Sequence, residues 1–288
     1  MVNFLRYKWL YFIISAVVIS AGLFSIIKWG FRYSIDFTGG SYFEYQVNKN
    51  ITKKEVNKII QDNKVELISL NVEDKNIIFK TKVLDQLKEN QLKNDLENRL
   101  KTKITVLRSE TVGPTLGKET IGKTVTASLL AIIGILLYMS FAFKGFNYAL
   151  SAVLAMVHDL LVVVGTYSLI SHFFGAEVDT MFVTAVLTTM SFSVHDTIVI
   201  FDKVREYFRE EGRIDLGAAS NKAVTETMVR SLNNSMTIVF MLLALSLLGG
   251  TTIRFFVITL LIGTITGTYS SPFVATPILV WFEKRKKR

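Results

Sequence analysis

The sequence predicts a polytopic α-helical membrane protein with six transmembrane helices, plus an α+β ferredoxin-like extracytoplasmic domain between helices 1 and 2. Three observations carry that expectation. Half of the 288 residues are hydrophobic, 20% are charged and mean hydropathy is +0.38, too apolar for an ordinary soluble chain of this size. Six stretches are apolar enough to cross a hydrocarbon core, which takes about 20 residues of helix with every backbone group bonded inside its own segment. One long polar interruption, residues 29 to 123, alternates between strand and helix periodicity. The composition excludes disorder, collagen and coiled coil. The absence of cysteine excludes a disulfide framework, a thiolate zinc site, an iron–sulfur cluster and a cysteine nucleophile.

The first span, Leu10 to Ile27, carries no charge and is bounded by Lys8 and Lys28. Its length, and the lack of a small-residue cleavage pattern, favour a retained anchor over a signal peptide. The polar segment then reads as strand 41–47, helix 52–62, strand 64–72, strand 75–80, helix 83–101 and strand 103–109. Val56, Ile59 and Ile60 share one face of its first helix, and Leu84, Leu87, Leu92, Leu96 and Leu100 one face of its second. The order βαββαβ is that of a ferredoxin-like plait, a fold that assigns no activity by itself. The basic surface of this segment is either plain solvated surface or a peptide-binding face. The second span, Thr124 to Phe143, is uncharged between Lys123 and Lys144, and four more follow at about 147–174, 180–202, 231–250 and Phe255 to Phe282. The expected domains are 1–28 (N-terminus and first helix), 29–123 (outer domain), 124–282 (helices 2 to 6) and 283–288 (basic tail).

Basic residues choose the orientation. One set of flanks holds Arg6, Lys8, Lys144, Lys203, Arg205, Arg209, Arg213, Lys222 and the tail Lys284 to Arg288, while Gly175–Asp179 is acidic and Gly249–Arg254 has one arginine. Both termini are therefore expected in the cytoplasm, and the net charge of +9 reflects topology more than a nucleic-acid partner, for which no basic and aromatic interleaving exists.

Ionisable groups at bilayer depth cost several kcal/mol unless paired or watered. His195 and Asp196 lie six or seven residues before the end of the fourth span, roughly 10 Å deep at 1.5 Å per residue. His158 and Asp159 lie at a comparable depth in the third. Arg230 is expected to open the fifth span, with Asn233 and Asn234 one turn above it. One reading is a proton relay: burial favours a neutral carboxyl and an approaching guanidinium favours the ionised one, so their relative motion would load and release a proton. The other is a static Asp196–Arg230 ion pair fixing helix register. For His158 and His195 an interhelical hydrogen bond is the plain alternative. No metal-ligand spacing such as HExxH occurs, and no cofactor is implied.

Gly263 and Gly267 form GxxxG, read as close helix packing. The tail EKRKKR could attract anionic lipid, though orientation already accounts for it. Gly117 to Thr124, GKETIGKT, matches the phosphate-loop pattern. Because a membrane span follows it and it faces away from cytoplasmic nucleotide, it is expected to be a false match, its lysine and glutamate tethering the domain to the membrane surface.

The ordering of motifs resembles the SecD/SecF family of bacterial protein-export membrane proteins, on its SecF side, over nearly the whole chain. IDFTGG (Ile35 to Gly40) resembles the family's glycine-rich entry to its outer domain, and SETVGPTLGKE (Ser109 to Glu119) its VGP...GKE exit, which also accounts for the phosphate-loop lookalike. MVHD (Met156 to Asp159), SFSVHDTIVIFDKVRE (Ser191 to Glu206), VRSLNNS (Val229 to Ser235), IRFF (Ile253 to Phe256) and GTYSS (Gly267 to Ser271) follow in the family's order. The resemblance implies one six-helix half of a resistance-nodulation-division type transporter in the bacterial cytoplasmic membrane. It implies SecD, the SecYEG channel, unfolded precursors, membrane lipid and protons as partners, with the proton motive force driving translocation rather than enzymatic turnover. The family's proton-path aspartate maps onto Asp196 and its essential arginine onto Arg230, with Asn233, His195, Asp159 and His158 in support. His195 stands where the family usually has Asn, and Asn234 where it tends to have Thr. The alternatives are half of another transporter of the same superfamily, moving lipid or solute, and a passive scaffold for the channel. Met1 and the basic tail favour a separate subunit over a piece of a fusion.

Overall fold

The structure is a computed structural model that describes residues 3–73, 75–143, 145–211 and 215–286. Lys144, Arg213, Lys287 and Arg288, used above for orientation, lie outside the described residues. The chain divides into two compact units, residues 33–125 and the remainder.

The first helix is α1, Lys8–Trp29, entered through a short 3-10 turn at Phe4–Tyr7. The smaller unit then runs β1 (Gly40–Val47), α2 (Lys53–Asp62), β2 (Leu67–Glu73), β3 (Asn76–Thr81), α3 (Gln86–Leu100) and β4 (Ile104–Val112). Its sheet is antiparallel, in the order β2-β3-β1-β4. Alternation on β1 sends Phe43, Tyr45 and Val47 to one face, where Phe79 and Ile77 meet the first two in register. That face packs on Val56, Ile59 and Ile60 of α2 and Leu92, Leu96 and Leu100 of α3, all buried. Caps set the helix starts. The Thr52 hydroxyl accepts from the Glu55 amide while the Glu55 carboxylate accepts from the Thr52 amide at 2.9 Å, and Asp85 accepts from the Lys88 amide at 2.8 Å. Asp85 therefore starts α3 at Gln86 rather than 83, and Lys64, at φ 53°, delays β2 to Leu67. The double glycine before β1 is a backbone requirement: Gly39 and Gly40 sit at φ +71° and +131°, and a Cβ on Gly40 would lie 2.7 Å from the Thr81 carbonyl oxygen.

Among the described residues six helical segments are long and apolar enough to cross a membrane. After α1 they are α4 (Pro114–Ala142), α5 (Phe146–Phe174), α6 (Thr180–Glu211), α7 (Leu216–Leu248), and α8 (Thr251–Ser270) continued by a π-helical turn Ser271–Ala275 into α9 (Thr276–Lys286). These run longer than the apolar windows at 124–143, 180–202 and 231–250, because a helix does not stop where its apolar run stops. The last span is not one regular helix from Phe255 to Phe282: Pro272 lacks an amide hydrogen, and the turn around it widens. Helix α5 packs against α1, α6 and α8, and α8 also packs against α6 and α7. Close approaches rest on glycine: a Cβ on Gly22 of α1 would lie 2.6 Å from the Gly165 Cα of α5, and the GxxxG glycines Gly263 and Gly267 face Thr189 and Ser193 of α6.

Candidate functional site

Two carboxylates sit inside the helix bundle on different sides of α6. Asp159, on α5, is 3% exposed and gathers donors from three neighbours in space. Its Oδ2 accepts from Ser270 Oγ at 2.6 Å and from Ser193 Oγ, and its Oδ1 is 2.8 Å from His158 Nδ1. The other ring nitrogen of His158, Nε2, lies 2.9 Å from Ser15 Oγ of α1. One acid thus ties α1, α5, α6 and the end of α8 together.

Asp196 faces α7 instead. It is 9% exposed, and its Oδ2 accepts from Ser231 Oγ at 2.7 Å. Arg230, the preceding residue on α7, is exposed, and among the described residues no ion pair joins it to Asp196. Arg230 does not open its helix: α7 begins at Leu216, where Asp215 accepts from the Ala218 amide at 3.3 Å. His195, Asn233 and Asn234 are exposed as well, so α6 and α7 present a polar face that the other described residues leave uncovered. Beside it, His195, Asp196, Asn234 and Thr264 line a recess of about 30 Å³, room for about one water.

The candidate residues therefore fall into two groups, His158 with Asp159 in the interior and His195, Asp196 and Asn234 at the recess. On the Asp159 side, hydroxyls of α6 and the π-helical turn cluster around Ser193. Thr197 Oγ1 lies 2.9 Å from Ser271 Oγ, and both donate to the carbonyl of Ser193, whose own hydroxyl reaches Asp159. Sequence reasoning missed Ser15, Ser193, Ser231 and Ser270. The available signal was position, since Ser193 precedes Asp196 by three residues and Ser231 follows Arg230 directly.

GKETIGKT lies wholly inside α4, so its amides serve the helix rather than a phosphate cradle, and Gly117 N donates to Gly113 O at 3.0 Å. Lys123 pairs with Glu119 at 2.7 Å. Among the described residues no group of three or more His, Cys, Asp or Glu is placed to hold a metal ion.

Residues 91–285 match the family described as protein export membrane protein SecD/SecF, C-terminal, and residues 24–51 match the SecD/SecF GG motif. The chain belongs to the SecD/SecF family. The double glycine at the head of β1 in this SecD/SecF chain falls inside the second match. The chain is 37% identical to the protein translocase subunit SecF of Thermobaculum terrenum, over 99% of this chain and 95% of that one. It is 35% identical to the SecF subunit of Anaerolinea thermophila, over 100% and 96%. The crystal structure of SecDF, a translocon-associated membrane protein from Thermus thermophilus, superposes with a TM-score of 0.87 at 28% identity, covering 99% of this SecD/SecF chain and 39% of that longer one.

Proposed function

We propose that this chain is a SecF-like subunit of the Sec protein-export machinery. It acts with SecD beside the SecYEG channel and uses the proton motive force to promote translocation of unfolded precursors. The observation that carries this reading is Asp196: a carboxylate on a membrane helix, held by one serine hydroxyl of α7 and lying beside an exposed Arg230 that it does not pair with. Asp196 is the proton carrier and Arg230 its modulator. A shift of α7 against α6 that brings the guanidinium to the carboxylate favours proton release, and its withdrawal favours uptake. His195 and a water in the adjacent recess offer the proton a route, while Asn233, Asp159 and His158 support the helices that carry it. Both termini lie in the cytoplasm, and residues 29–123 form an extracytoplasmic domain. The strand order β2-β3-β1-β4 with α2 and α3 on one face supports a ferredoxin-like plait there.

The test is gradient-driven precursor translocation into inverted membrane vesicles, with Asp196→Asn against the parent chain. Loss of the gradient-dependent fraction, with assembly intact, is the expected result. Translocation at the parental rate would make the buried charge structural and replace the relay with a scaffold.

A further inference from the structure

Away from both carboxylates, a cleft of about 1100 Å³ opens at the end of the bundle where the first helix begins and the last helix finishes. It exceeds the roughly 300–1,000 Å³ of ordinary small-molecule pockets. Its apolar surface includes Trp9 and Phe12 of α1 and Trp281 of α9, and its cations are Arg6, Lys8 and Lys284. Trp9 and Trp281 are 71% and 51% exposed, so their rings stand open at the same level as the charges. Arg285 lies over the Trp281 ring at 4.6 Å, which adds a further cation.

Three cations thus face one carboxylate across the cleft, and among the described residues none of the three forms an ion pair. The carboxylate that lines the cleft, Asp215, is engaged as the cap of α7. The wall that carries Arg6 is fixed in place. Leu5 N donates to Asn221 Oδ1 at 3.2 Å, and Asn221 Nδ2 donates to Asn3 Oδ1 at 3.1 Å, which pins the turn Phe4–Tyr7 to α7. A soluble anion would satisfy the cations and leave the apolar floor wet. A protein helix would have to bring acidic groups to this one spot. A lipid whose phosphate meets the cations, whose ester region meets the tryptophans and whose acyl chain covers the floor answers all three features.

We propose that this cleft is a binding site for one anionic phospholipid, independent of the relay at Asp196. Tryptophan quenching tests it, because the chain has three tryptophans and Trp29 lies at the opposite end of α1. The full chain is reconstituted into phosphatidylcholine vesicles holding a minor share of phosphatidylglycerol, with bromine on the acyl chains of one lipid or the other. Trp9 and Trp281 should be quenched preferentially by brominated phosphatidylglycerol, with excess inorganic phosphate making no difference. At about fivefold per cation near a membrane surface, the triple variant Arg6→Gln, Lys8→Gln, Lys284→Gln should weaken that preference on the order of a hundredfold. A Trp9→Phe, Trp281→Phe chain, which reports Trp29 alone, should show no lipid preference with or without the triple change, and its unchanged quenching checks that the triple variant still folds and inserts. Equal quenching by the two lipids, a preference that survives the triple variant, or its abolition by inorganic phosphate overturns the proposal. Loss of the preference once partner subunits are assembled overturns it too, by showing that protein fills the cleft.

Discussion

Asp159 and Asp196 are two aspartates on membrane helices, each following a histidine, and their surroundings give them different work. Asp159 is enclosed by donors from three hydroxyl- or imidazole-bearing residues, so Asp159→Ala strands Ser193, Ser270 and His158 together. At the modest value of hydrogen bonds between membrane helices this should cost about 2 kcal/mol, read as a lower thermal unfolding midpoint in detergent. Asp196→Asn keeps an acceptor for Ser231 and should shift the same midpoint by less than about 1 kcal/mol while removing gradient-driven export. Tyr45 illustrates the opposite case. Burial pushes its phenol up from the ordinary range, and its hydroxyl has no hydrogen-bond partner among the described residues. Tyr45→Phe should therefore be neutral or stabilising by about 1 kcal/mol in the same melt. The acids were legible in the sequence because a charge inside an apolar run departs from its background. The serines were not, because a hydroxyl in a membrane helix can bond the carbonyl one turn back and so marks no partner by itself.

At the scale of elements, caps and glycines decide what composition leaves open. The Thr52 bonds hold the Glu55 carboxyl below the usual carboxylate range. Its contribution to α2 is present above the unfolded value near ~4.3 and is lost as pH falls through the lower folded one. Thr52→Ala should raise the Glu55 titration midpoint toward that ordinary value, seen in its side-chain carbon shift. It should also speed amide exchange in residues 53–62 by about fivefold, the equivalent of ~1 kcal/mol for a lost cap. Gly165→Val forces α5 off α1 at the Gly22 crossing, and overpacking there should cost about 1–3 kcal/mol of melting stability. Apolar windows found the six helical segments that, among the described residues, are long and apolar enough to cross a membrane, and misjudged several ends. The polar first half of α7 is helical because Ala219, Ala223, Val224 and Thr227 bury one face of it, a periodicity hidden among Asn, Lys and Glu. The π-helical turn had no hydropathy signature at all, and only Pro272 hinted at it.

For the whole molecule, hydropathy and the asymmetry of lysine and arginine carry the argument. The order of elements in the unit of residues 33–125 was readable from alternation, whereas the lateral order of its strands depends on pairings between residues far apart in sequence. The orientation is open to a direct test because the chain has no cysteine. Gln61→Cys should react with an impermeant maleimide in cells whose inner membrane is intact, and Glu210→Cys only after permeabilisation, since both positions are exposed. The reverse pattern would invert the topology. The uncovered face of His195, Arg230, Asn233 and Asn234 reaches further than chemistry. Where such groups meet hydrocarbon they carry a cost that burial against a partner removes. The expected outcome is that the chain made without that partner is lost faster in a chase of blocked synthesis than the chain made with it; equal half-lives would mean that this face needs no cover.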